Sequence, residues 1–156
     1  MSATPANPAV FETLSAIFAG LPHCKTLGFE YVGCDGIRPT LRLEWRADLV
    51  GNPASGVVHG GVITSLVDTT SAIAVAARLA ELETIATLDL RIDYLKAAAP
   101  GKAIHCTAEC YRLAGQVGFT RAVCYHDDPN DPIAHGVATF MRESNPRPMW
   151  REGAGQ

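Results

Sequence analysis

The chain has 156 residues, 47% of them hydrophobic and 19% charged, which is the composition of a globular protein and the length of one domain of ordinary size. A formal net charge of −3, with no run of Lys or Arg, excludes a general attraction to nucleic acid or to anionic membrane surfaces. Met1 to Pro8 lacks the basic start and apolar run of a signal peptide, and the apolar stretch 57–80 is broken by His59, Asp68 and Arg78. With five scattered cysteines and no CxxC pair, the expectation is a reduced cytoplasmic protein without a membrane span.

Apolar residues at Val10, Leu14, Ile17 and Phe18 predict a short helix that ends at Gly20-Leu-Pro22. Two strand-like stretches follow, Leu27 to Cys34 and Ile37 to Trp45, joined by Asp35-Gly36, a dipeptide suited to a tight type I′ hairpin. Pro39 places the second partly at a sheet edge. After the polar turn Asn52-Pro-Ala-Ser-Gly56, the sequence from Gly60 to about Leu82 is long, lacks strand alternation and is apolar almost all round, as a buried central helix would be. Its small residues (Ser65, Ser71, Ala72, Ala74, Ala76, Ala77) would let a sheet wrap closely around it.

Four more strands are expected at Thr84 to Leu95, Ala103 to Leu113, Val117 to His126 and Pro132 to Arg142. Period-two alternation puts Leu88, Leu90, Ile92 and Tyr94 on one face of the first, and Val117, Phe119, Arg121, Val123 and Tyr125 on one face of the third. The fold class is α+β, an antiparallel sheet curled around one long helix. The expected organisation is an N-terminal segment with its helix over 1–24, a main domain over 25–142, and a Pro, Arg and Gly-rich tail over 143–156 that Trp150 could dock.

The chemistry concentrates between residues 52 and 68. A helix that opens with His59-Gly60-Gly61 leaves its first N–H groups free, and glycine lets a ligand oxygen approach the backbone. The helix dipole adds partial positive charge there, suited to a developing oxyanion. Asp68 stands too far inside the helix to cap it, among Leu66, Val67, Ala72 and Ile73. A carboxylate in such surroundings must be paired, protonated or turned to a polar cavity. Gly60 and Asp68 are eight residues apart, roughly 12 Å along a helix axis, so one copy of the chain cannot bring both to a single carbonyl. If they serve one reaction, the carboxylate comes from the same helix of a second, antiparallel subunit, which requires a homo-oligomer with twofold symmetry.

The stretch Asn52-Pro-Ala-Ser-Gly-Val-Val-His-Gly-Gly-Val-Ile-Thr-Ser-Leu-Val-Asp-Thr resembles the signature of the hotdog-fold acyl-CoA thioesterases of the phenylacetate-pathway (PaaI-like) type. There an Asn and a His-Gly-Gly precede a helix with Asp or Glu nine residues after the His. The similarity extends through Thr84 to Leu95 and Pro100-Gly101, covering nearly all of 25–142. The resemblance implies a hotdog fold and hydrolysis of a medium-chain or aromatic acyl-CoA by a dimer or a dimer of dimers. It implies Asp68 as general base or nucleophile and the Gly60 N–H as oxyanion donor. His59 would orient the thioester or hold the loop, Asn52 would position water, and Thr87 would support the water or the carboxylate. Asn52 stands seven residues before His59, where the family usually has six.

A thioester has a good leaving group and weak resonance stabilisation, so one carboxylate and one oxyanion donor suffice, with no cofactor and no metal. Gly-x-Ser-x-Gly is absent, which argues against an α/β-hydrolase. His105 falls on the opposite strand face from Cys106 and Cys110, so a shared metal site is not expected. Lys96, Lys102, Arg112 and Arg142 are candidate contacts for coenzyme A phosphates or ordinary surface charge. The alternative function is a non-catalytic acyl-CoA or acyl-carrier binding protein, although regulators of that kind usually carry a DNA-binding domain for which the chain has no room. A hotdog hydratase would need an Asp paired with a His at the helix start, a pairing not found in the sequence.

Overall fold

Asn7 starts the first helix. Its side-chain oxygen accepts the Ala9 and Val10 N–H groups at 3.2 and 3.4 Å, and Pro8 occupies the first helical position, where no N–H is needed. The structure, a computed structural model, describes residues 3–143. Helix α1 (Pro8–Ala19) ends at Gly20, and Pro22 then begins a second short helix, α2 (Pro22–Leu27). Proline stops one helix and opens the next for the same reason, its missing donor. Leu27 is therefore helical rather than extended, and Gly28, at φ +79°, closes α2 in the left-handed conformation.

Strands β1 (Phe29–Asp35) and β2 (Arg38–Leu43) form the expected hairpin. Its two central residues are Gly36 and Ile37, one position later than the dipeptide Asp35-Gly36 suggested. Only Gly36 has a positive φ, +65°, as a type II′ turn requires; an isoleucine could not take the second positive φ of a type I′ turn. A short ribbon of β3 (Val50–Asn52) and β4 (Val57–Val58) then leads into α3 (Gly60–Ala76). Strands β5 (Thr84–Tyr94), β6 (Ile104–Ala114), β7 (Val117–Tyr125) and β8 (Ala134–Glu143) complete the chain.

All pairs of the six-stranded sheet are antiparallel, in the order β1-β2-β6-β7-β8-β5. β2 is interior, but its ladder with β6 runs only from Thr40 to Leu43, so Pro39 lies just beyond it and interrupts no bond. Helix α3 packs against β2, β5, β6, β7 and β8, and α1 covers α3 from the other side. The close approach that the small helix residues suggested is matched from the sheet: a Cβ at Gly136 would come within 2.5 Å of Val67, and one at Gly118 within 3.1 Å of Val75. The inward face of β7 is correspondingly small, Gly118, Thr120, Ala122 and Cys124, all buried. Val117, Phe119, Arg121, Val123 and Tyr125 share the other face, as the alternation predicted.

Helix α3 ends at Ala76 rather than near Leu82. The Arg78 and Leu79 N–H groups bond back to Val75 and Ala76 carbonyls, Leu79 is fully buried, and the Arg78 guanidinium donates to the Cys110 carbonyl at 2.9 Å. Tertiary packing thus stops a helix that no Gly or Pro marks. The tail expected from 143 onward, with Trp150, lies outside the described residues apart from Glu143, the last residue of β8. Among the described residues no helix is long and apolar enough to cross a membrane.

Strand β5 carries one irregularity that shapes the site. Thr87 pairs with Phe140 and Asp89 with Thr139, which leaves Leu88 as an extra, bulged residue, 54% exposed. The expected face of Leu88, Leu90, Ile92 and Tyr94 therefore loses its first member. Before the bulge the odd residues Ile85 and Thr87 face α3, and after it the even residues Leu90, Ile92 and Tyr94 do. An unbroken strand would turn either Thr87 or Tyr94 away from the helix.

Candidate active site

The approach to α3 is tight. A Cβ on Gly51 would meet His59 Cα at 2.7 Å, so the β3–β4 ribbon closes against His59 only over glycine. His59 itself is the N-cap residue, extended at φ −60° and ψ 133°, with its backbone N–H donating to Leu49 O at 2.8 Å. Its Nδ1 accepts the Gly61 N–H at 2.9 Å, so the neutral ring carries its proton on Nε2. The Val62 N–H returns to His59 O at 2.9 Å. That leaves the Gly60 N–H, which has no acceptor among the described residues, at a half-buried position. It is the first donor of a 17-residue helix, where backbone polarity favours negative charge.

Tyr94 fixes this end of the helix from β5. Its hydroxyl donates to Gly60 O at 2.7 Å and shares a 3.0 Å hydrogen bond with Thr64 Oγ1. Residue alternation puts Tyr94 on a strand face but gives it no part in the site. The bulge at Leu88 that turns it toward α3 leaves no mark in the alternation of residue types.

Asp68 lies two helical turns further along, half-buried, and its Oδ1 accepts the Thr87 hydroxyl at 2.8 Å. The structure brings these two predicted residues together. It does not bring Asp68 to Gly60: α3 is continuous between them, so the separation of roughly 12 Å along the axis stands. Asn52, at the end of β3, is exposed; its Oδ1 accepts the Ala54 N–H at 3.1 Å and its carbonyl accepts from Ser55 and Gly56. Its side-chain oxygen thus closes an Asx turn and its amide NH₂ is the group left to act outward.

A cavity of about 410 Å³ opens beside the carboxylate, lined by Asp68, Thr69 and Ala72 of α3, Ile85 and Thr87 of β5, Phe140 of β8, Phe18 of α1 and Leu21 of the turn between α1 and α2. Its polar groups sit together around Asp68 and Thr87; the remainder is apolar. A carboxylate at the edge of an apolar pocket can activate water, or itself attack, at a carbonyl whose hydrocarbon part occupies the pocket. A cavity of about 450 Å³ on the outer face of the sheet, between Arg38, Arg121 and His135, is remote from this chemistry. There Arg121 is paired with Glu109 and Arg38 with Asp35.

Of the other polar candidates, His105, Lys96, Lys102 and Arg142 have partners within the fold, and Arg112 is exposed on β6. His105 stacks on Tyr125 with ring centroids 5.6 Å apart and bonds the His126 carbonyl through Nδ1, while Cys106 and Cys110 are fully buried. Hydrogen bonding to Cys106, its cross-strand neighbour, together with burial, pushes the Cys124 thiol well up, and burial pushes Cys110 up. These thiols are held in the protonated, unreactive form. Lys96 pairs with Asp131, Lys102 with Asp127 and Arg142 with Glu83. Among the described residues no three His, Cys, Asp or Glu side chains are grouped to hold a metal ion.

The profile of the thioesterase superfamily matches residues 55–133, which span β4, α3, β5, β6 and β7. The medium/long-chain acyl-CoA thioesterase YigI of Escherichia coli is 30% identical over 134 residues, 78% of this chain and 85% of that protein. A solved Pseudomonas aeruginosa protein is 46% identical, covering 85% of this chain and 99% of its own, with a TM-score of 0.76. The E. coli PaaI protein of the phenylacetic acid degradation operon, at 19% identity, covers 86% of this chain and 93% of its own with a TM-score of 0.74, a likeness of fold. The chain belongs to the thioesterase superfamily, with the hotdog fold of its PaaI-like members, and is a thioester hydrolase.

Proposed function

We propose that the protein hydrolyses an acyl-CoA of medium-length or aromatic acyl group to the free acid and coenzyme A, and that it does so as a homo-oligomer. The carrying observation is the single carboxylate of α3, half-buried at the edge of an apolar cavity and bonded by Thr87, on the same helix as an N-terminal N–H that has no partner among the described residues. In this reading Asp68 acts on the thioester carbonyl in one of two ways. It removes a proton from water as the water oxygen bonds to the carbonyl carbon, or its own oxygen forms that bond and water later cleaves the acyl-enzyme anhydride. In either case the carbonyl oxygen gains negative charge, the C–S bond breaks, and the thiolate of coenzyme A leaves and takes up a proton.

The Gly60 N–H of a second subunit supplies the oxyanion donor. Support for that subunit comes from the edge strand β5, which is 11 residues long and exposes Leu88 and Tyr94, with Leu95 exposed just beyond its end. Such an edge is a template for another strand. A twofold axis there would lay two α3 helices antiparallel behind the joined strands, each carboxylate facing the other helix's glycine end. His59 holds the loop through its Nδ1 bond to Gly61, leaving Nε2–H for the thioester, and the Asn52 amide orients the water.

A thiol-release assay on a panel of straight-chain and aromatic acyl-CoAs tests the activity. Turnover of at least one member is expected, and tight binding without release of thiol across the panel would instead mark a non-catalytic acyl-CoA binder. Thr87→Val, which keeps the shape and removes the donor to Asp68, should lower kcat about tenfold, the effect of one hydrogen bond to a charged group. An unchanged kcat would remove Thr87 from the machinery.

A further inference from the structure

We propose that the turn between α1 and α2 is the closed end of the acyl cavity, and that Phe18 and Leu21 set the length of acyl chain the enzyme accepts. This rests on the thioesterase reading of Asp68 given above. The cavity runs from Asp68 to Ala72, one turn of α3, with Ile85 and Thr87 on one side and Phe140, the register partner of Thr87, behind. Its polar groups lie at the Asp68 end. Phe18 and Leu21 add two apolar side chains to the lining, both only half-buried. With no cation among the lining residues to hold a nucleotide's phosphates, and with its hydroxyls confined to Thr69 and Thr87 beside the carboxylate, the occupant that fits is the hydrocarbon part of the thioester, its carbonyl at Asp68.

The segment that carries these two side chains is tied to the body of the fold. Ala6 N–H donates to Ala77 O at 3.0 Å and the Asn7 side chain donates to Ala80 O at 2.9 Å, tying the start of α1 to the chain just after α3. Phe11 and Leu14 are buried in the core. Gly20 lets the chain fold back so that Leu21 N–H reaches Phe18 O at 3.4 Å; a Cβ at Gly20 would stand 2.8 Å from Ala16 O. This segment precedes residues 55–133, the part matched by the superfamily profile.

The test compares kcat/KM across straight-chain acyl-CoAs for wild type, Phe18→Ala and Ala72→Val. Opening the end should favour longer chains, by roughly fourfold for each methylene newly buried, and so move the optimum upward. Ala72→Val narrows the cavity from the helix side and should move the optimum downward. A merely structural loss would lower every substrate in proportion and leave the profile in place. An unchanged profile in the Ala72→Val enzyme, or in Phe18→Ala where it folds, overturns the proposal while wild-type turnover keeps the thioesterase reading intact. A wild-type enzyme that hydrolyses none of the panel overturns both.

Discussion

Asp68→Asn is expected to lower kcat by about 10²–10⁴-fold, the range for removal of a positioned general base, without a loss of thermal stability. The substitution is nearly isosteric, and the asparagine oxygen can still accept the Thr87 hydroxyl that Asp68 accepts at 2.8 Å. It removes the negative charge, and with it both the capacity to take a proton from water and the capacity to attack the carbonyl. Asp68 is only half-buried, and its one described side-chain partner is a hydroxyl. A neutral side chain of the same shape keeps that partner, so the melting temperature should hold. Thiol-release kinetics beside a thermal melt decide the matter. A variant that keeps its activity, or one that loses activity and stability together, would show Asp68 to be a structural residue.

The sequence carried the parts of this site that depend on residue type within one element. Gly-Gly at a helix start and a carboxylate inside an apolar helix are local facts, and α3 begins at Gly60 as read. Relations between elements were less visible. The Leu88 bulge changes which residues of β5 face α3, yet it arises from register against β8 and leaves the alternation of residue types intact. Thr87 is therefore legible as a site residue only through family resemblance, and Tyr94 is not legible as one at all. Pro22 marked the end of α1, but proline equally opens a helix, and the six residues of α2 hold too few apolar positions to show a period. The end of α3 is not legible in the sequence because Leu79 and the Arg78 bond to Cys110, both tertiary, stop it. Phe18 was visible only as part of a helical stripe. Its place at a cavity beside Asp68 follows from the packing of α1 on α3, which no pattern in 8–19 specifies.

Mixing two inactive variants should restore activity if each site draws on two copies of α3. Gly60→Pro is the second member of the pair. Proline removes the N–H at issue and is well suited to the first helical position, and His59 before it already has the φ of −60° and ψ of 133° that a residue preceding proline prefers. Its Cβ would meet Tyr94 OH at 3.1 Å, a contact a shift of a few tenths of an ångström relieves. Alone, this variant should lose about 10²–10³ in kcat, as for one oxyanion donor. In a mixed dimer with Asp68→Asn, one site pairs the intact carboxylate of the first chain with the intact Gly60 of the second, and the other site carries both defects. Random reassociation of equal amounts makes half the dimers mixed, so recovered activity should approach roughly one quarter of wild type, far above either parent. Separated subunits must be exchanged, by mild denaturation or co-expression, before the assay. If mixed dimers form, as shown by differently tagged chains purifying together, and activity stays at the parental level, then carboxylate and N–H do not meet across an interface and the two-subunit mechanism is wrong.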